Sequence, residues 1–110
     1  MASLGLDSIP TVLCIKGTKH NPQYSLYIGR RMTMGGWNLS ASKWENPYPV
    51  KKYGIEQSLY LYEQHIRNTP YLIDSLHELA YHKLGCWCAP EPCHGNVLQK
   101  LYAEYVLNQN

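Results

Sequence analysis

The stretch from Leu84 to Gly95, reading Leu-Gly-Cys-Trp-Cys-Ala-Pro-Glu-Pro-Cys-His-Gly, constrains the fold more than any other part of the chain. Leu84 to Cys88 is too short and too hemmed in by Gly85 and Pro90 to be a helix, so it reads as a buried strand. Apolar residues at helical spacing precede it (Leu72, Ile73, Leu76, Leu79 and Ala80). Another helical pattern follows, from near Pro92 to Leu107, with Val97, Leu98, Leu101, Tyr102, Tyr105 and Val106 on its apolar stripe. A strand enclosed between two helices is the unit of an α/β protein.

Upstream, Thr11 to Ile15 and Tyr24 to Ile28 are short apolar runs separated by Gly17, Asn21 and Pro22, and they predict two more strands of the same sheet. Gly29 to Pro49 has no helical period and predicts a long irregular loop carrying Arg30, Arg31, Trp37, Trp44 and Asn46. Ile55, Leu59, Tyr62 and Ile66 then recur at intervals of three and four, which predicts a helix over about 55–67. The expected architecture is one small α/β domain over residues 1–110: a short, mostly buried mixed sheet with about three helices packed on it.

A chain of 110 residues is long enough for one core. Its apolar residues, 45% of the total, form no uninterrupted run of the roughly 18 that a spanning helix needs. No membrane role is expected. Met1 to Pro10 lacks a basic segment and a long apolar run, so an intracellular location is expected. Charge is uneven. Residues 16–52 hold Lys16, Lys19, Arg30, Arg31, Lys43, Lys51 and Lys52 against Glu45 alone, a local +6, while the remainder is −4. A basic segment of this kind points to an anionic partner, either a phosphate-bearing small molecule or, with weaker support because the lysines are spaced, nucleic acid. Ten tyrosines beside no phenylalanine predict many half-exposed rings and a homodimer surface.

The cysteine and histidine cluster admits three readings. Cys86, Cys88, Cys93 and His94 match the ligand count of a closed zinc site, with Cys14 as a substitute ligand, although Cys-x-Cys is tighter than the usual spacing. A second reading places Pro92, Cys93 and His94 in the first turn of the last helix. Unpaired amides and the helix dipole would there favour a thiolate at Cys93 or a docked anion. The third treats the cysteines as small core residues without chemistry.

Tyr27-Ile28-Gly29-Arg30, then a tryptophan shortly before Asn46-Pro47-Tyr48, then Gly85-Cys86-Trp87-Cys88-Ala89-Pro90 running into Cys93-His94-Gly95 and Leu98, together resemble the signature of the family called domain of unknown function 4326. The similarity covers about residues 24–102. It implies a small α/β domain and, since members occur in cellular microbes, phages and large DNA viruses, a viral source and virion association as one option. It implies no established activity. The chain departs from the pattern by a longer insertion between Arg30 and Trp44.

Combined, these blocks predict a site for a phosphate or carboxylate, nucleotide-like in character. Arg30 would grip the anion, Trp44 would stack on a planar ring, and Asn46 would orient the ligand. Gly95 and the amides of the helix start would bind it, and Cys93 or His94 would act as nucleophile or acid/base. The competing expectations are a non-catalytic oligomeric interaction module, a zinc-stabilised module and a redox role for Cys93.

Overall fold

The computed structural model describes residues 4–87 and 92–108. Three strands, β1 (Thr11–Cys14), β2 (Leu26–Tyr27) and β3 (Lys83–Cys86), are joined in the order β1-β3-β2. Both pairings are parallel, with Thr11 opposite Lys83 and Leu26 opposite Leu84. The sheet is therefore parallel throughout rather than mixed. Helices α1 (Val50–Arg67) and α2 (Pro70–Ser75) explain this for β3, since they return the chain from the carboxyl edge of β2 to the amino edge before β3 begins. As the central strand, β3 is buried at Leu84, Gly85 and Cys86, which accounts for its unbroken apolar run. Pairing continues a residue beyond the ladders, because Ile15 N–H donates to Cys86 O and Ile28 N–H to Gly85 O.

The helix expected at 55–67 is present, preceded by one extra turn. Gly54 lies at φ 80°, ψ 163°, a conformation reserved for glycine, and it breaks Val50–Arg67 into a short turn and the main helix from Ile55. The buried face of α1 is Ser58, Tyr62 and Ile66, whereas Ile55 is 39% exposed. Ser58 can be buried because its hydroxyl donates to Tyr48 O at 2.5 Å and accepts from Asn46 Nδ2 at 2.8 Å. The second helical pattern splits into α2 and a 3₁₀ turn at Leu76–Leu79. Leu72, Leu76 and Leu79 bury themselves at spacings of four and three, and Tyr81, at φ 65°, ends the run.

The last helix, α3 (His94–Tyr102), starts two residues later than expected, and Pro92 precedes it rather than opening it. It widens into a π turn at Ala103–Leu107. Val97, Leu98, Leu101 and Tyr102 are buried as its stripe predicts. They join Ile28, Trp44, Tyr62, Ile66, Leu72, Leu76, Leu79 and Leu84 in one core. Arg67 on α1 pairs with Glu63 on its own helix and with Glu104 after α3, and Lys100 pairs with Glu63, so charges also tie the two helices together. Among the described residues every buried side-chain nitrogen or oxygen has a partner, and no helix is long and apolar enough to cross a membrane. Tyr60, Tyr71 and Tyr81 are each about 60% exposed, whereas Tyr62 and Tyr102 are buried.

Candidate functional site

A parallel sheet sends the segments that follow its strands to one edge, where side chains from separate parts of the chain can meet. Here Gly29 and Arg30 follow β2, and Trp87 and His94 follow β3. These residues line a cleft of about 480 Å³ whose opposite wall is Asn46, Tyr48, Pro49, Val50 and Lys51. Arg30, Asn46 and His94, far apart in the sequence, are thus brought together.

Tyr27 explains how the Tyr-x-Gly-Arg motif presents its arginine. The ring folds back over Gly29, where a Cβ would overlap it, and its hydroxyl donates to the carbonyl of Arg30. That same hydroxyl accepts Trp87 Nε1–H at 2.8 Å, so one phenol ties the segment after β2 to the segment after β3. Burial raises the Tyr27 pKa, the Trp87 hydrogen bond opposes the rise, and the phenol stays protonated near neutrality. Arg30 Nε and Nη2 donate to Asn46 O at 3.1 and 2.9 Å. The residue is exposed, and Nη1 makes no hydrogen bond to another described residue.

Asn46 lies on the wall, but its amide is committed to the protein. Oδ1 accepts Tyr48 N–H at 2.9 Å, closing a turn around Pro47, and Nδ2 donates to Ser58 Oγ. Its backbone carbonyl holds Arg30, while its side-chain hydrogen bonds stay within the protein. His94, the first residue of α3, is nearly buried and meets the Tyr62 ring edge-on at 5.2 Å. Its Nε2 lies 2.6 Å from Ile28 O. A carbonyl can only accept, so Nε2 carries the proton and Nδ1 holds the lone pair. Desolvation lowers the pKa of this imidazole despite the Ile28 bond, with Arg30 adding to the lowering, so the ring is neutral at pH 7.

Three of the expected site residues lie elsewhere. Trp44 is 1% exposed in the core and off the cleft wall; Tyr62 Oη donates to its carbonyl at 2.7 Å. It cannot stack on a ligand, and Trp87 is the indole that lines the cleft. Gly95, on the buried face of α3, is where a Cβ would stand 2.9 Å from Val12 Cγ2 and 3.1 Å from Ile28 Cδ1. It permits close packing of helix on sheet and touches no ligand space. Cys93, 2% exposed, is the N-cap of α3.

The Cys93 sulfur accepts Gly95 N–H at 3.3 Å, while Asn96 Oδ1 accepts Cys93 N–H at 3.0 Å. This reciprocal capping box uses amides that were expected to face an anion. The Cys93 sulfur lies 3.3 Å from that of Cys86, on the core side of the helix start. Among the described residues no group of three or more histidine, cysteine or acidic side chains could hold a metal. Cys88, the remaining zinc-ligand candidate, lies outside the described residues.

Lys51, Tyr48, Met32 and Trp87 were not foreseen as site residues. A signal for Trp87 was present: it follows the central strand directly, at the edge where parallel sheets bind ligands. Lys51 carried no such mark, because the broken turn before Gly54 brings it to the cleft.

Comparison with known proteins gives two matches and one blank. The family model described as domain of unknown function (DUF4326) matches residues 13–104, which extends the segment resembling the family back to the second half of β1. The chain is 36% identical over 104 residues to the Acanthamoeba polyphaga mimivirus protein called Uncharacterized protein R718, covering 84% of this chain and 79% of the viral one. No solved structure matches. With the family pattern running from the second half of β1 through β2 and β3 to just beyond α3, the chain belongs to the domain of unknown function 4326 family.

Proposed function

We propose that the cleft binds a small anion bearing a planar ring, of the nucleotide class. One observation carries this reading: a single recess is lined by two basic residues, Arg30 and Lys51, together with Trp87 and His94, whose imidazole is neutral at pH 7. Arg30 has its Nε edge anchored on Asn46 and presents the Nη1 end to a phosphate or carboxylate. Lys51 adds a second positive charge. Met32, Pro49 and Val50 supply apolar lining, and Trp87 and Tyr48 supply ring surface for a base. His94 Nδ1, on a ring that stays neutral at pH 7, can accept a hydrogen bond from a ligand N–H or O–H. The inward position of the Cys93 sulfur favours a capping role over a nucleophilic one.

Titration of the protein with the common ribonucleoside monophosphates and with inorganic phosphate, followed by calorimetry and tryptophan fluorescence, tests this. At least one nucleotide should bind more tightly than phosphate and change the emission of Trp87. Arg30→Ala should lower that affinity at least tenfold, about 1.4 kcal/mol. No nucleotide binding below about 1 mM, or binding indifferent to Arg30, refutes the reading.

A second reading, association of two copies through tyrosine-rich surface, is favoured by the exposure of Tyr60, Tyr71 and Tyr81. A monomer in sedimentation at high micromolar concentration removes it. The likeness to the mimivirus protein supports a source among large DNA viruses.

A further inference from the structure

We infer that the nucleotide entering the cleft belongs to a single-stranded nucleic acid, whose neighbouring phosphates run along the basic carboxyl edge of the sheet. This rests on the anion-and-ring reading above and names the class of ligand. Because β1 and β2 both lie parallel to β3, the segments after them leave at the same edge. Lys16 and Lys19 follow β1, Arg30 and Arg31 follow β2, and Lys51 with its neighbour Lys52 stands on the far wall of the cleft.

All six of these side chains belong to exposed residues. The ion pairs among the described residues involve Lys43, Arg67 and Lys100, so none of the six is paired with a described carboxylate. Lys19 Nζ donates to Gly35 O, and Lys52 lies over the Tyr53 ring at 5.2 Å; neither contact cancels a charge. A bound mononucleotide could engage Arg30 and Lys51, leaving four cations in mutual repulsion. A polyanion relieves that repulsion and releases its own counterions.

The aromatic surface extends beyond the cleft as well. Trp37, on the turn that Lys19 holds, meets Trp87 edge-on at 5.2 Å. Cations that track a backbone beside rings that receive bases are the recurrent means of holding single strands. A duplex would have to expel a base to fill the recess, which costs unpairing and unstacking. A membrane surface would leave the recess unused.

The test is fluorescence anisotropy of an end-labelled oligonucleotide of about ten residues, oligo-dT or oligo-rU, over a series of salt concentrations. The nucleoside monophosphate, the matching duplex and phosphatidylserine vesicles are measured beside it. The single strand should bind at least about tenfold more tightly than the monophosphate and the duplex, with a log–log salt slope of about −2 to −4. The double variant Lys16→Ala/Arg31→Ala should weaken the oligonucleotide by about tenfold and reduce the slope by roughly 1.4, leaving monophosphate affinity unchanged.

If the monophosphate binds as well as the strand, or the double variant weakens both alike, strand recognition is overturned while the cleft reading stands. Duplex binding equal to that of the single strand, or vesicle binding without oligonucleotide binding, also overturns it. If neither monophosphate nor strand binds, both readings fall together.

Discussion

Replacing Gly95 by alanine isolates the contact that lets α3 approach the sheet. A Cβ there would lie 2.9 and 3.0 Å from the two γ carbons of Val12 and 3.1 Å from Ile28 Cδ1. Carbon atoms at rest are about 3.5–4.0 Å apart, so the shortfall is roughly half an ångström or more on each contact. Val12 stands on β1, and its β-branched side chain has few rotamers with which to give way. The helix must therefore move. Overpacking of this kind costs about 1–3 kcal/mol, and the better helix propensity of alanine returns at most about 1 kcal/mol. The expected net loss is about 1–2 kcal/mol, or a fall in Tm of about 4–8 °C for a domain near this size.

A double-mutant cycle ties the loss to its cause. Val12→Ala removes the two nearest atoms, both γ carbons, so Gly95→Ala in that background should cost at least about 1 kcal/mol less. Thermal and urea unfolding of the wild type, both single variants and the double variant measure these terms. A higher Tm for Gly95→Ala, or a cost unchanged when Val12 is alanine, refutes the packing account.

The pH dependence of stability should show His94. Burial depresses its pKa from the ordinary value of 6.5, so below that pH the unfolded chain binds the proton more readily than the native protein. Stability present above 6.5 is then lost as the pH falls toward the depressed native value. Between pH 7.5 and about 5, urea unfolding of the wild type should lose stability more steeply than His94→Gln, whose amide can still donate to Ile28 O; parallel curves would contradict this. Asn46→Ala removes the Tyr48 and Ser58 hydrogen bonds, costs about 1–2 kcal/mol and weakens nucleotide binding by loosening the turn whose backbone carbonyl holds Arg30. Asn46→Asp, which keeps the Oδ1 acceptor, should recover part of the stability but not the affinity, because its carboxylate repels an anion in the cleft. Gly54→Ala has open space around its Cβ but a glycine-only backbone, so it should cost of order 1–3 kcal/mol through strain alone. It should also reduce ligand affinity as Lys51 leaves the cleft, and unchanged affinity at a lowered Tm would separate the two roles.

What could be read from the chain by itself is what depends on neighbours in sequence. The apolar spacing of Val97, Leu98, Leu101 and Tyr102 marks the buried stripe of α3. Leu84 to Cys86 marks a strand buried on both faces, and the break before Ile55 coincides with the start of the main helix of α1. Arg30 and His94 could be nominated because guanidinium and imidazole have few quiet uses beside glycine and cysteine in compact motifs.

Direction and partnership were decided only by the tertiary structure. That the sheet is wholly parallel depends on which edge each crossover regains, and no local pattern encodes this. Trp44 and Trp87 have the same chemistry, yet Trp44 packs in the core with Tyr62 donating to its carbonyl, while Trp87 stands at the open edge of β3. Cys93 and Asn96 use the helix-start amides in a reciprocal cap, and Ser58 with Tyr48 takes up the Asn46 amide. Side-chain hydrogen bonds are settled by whichever partner arrives first in space. Sequence specifies residues able to serve a site; packing determines which of them remain available to a ligand.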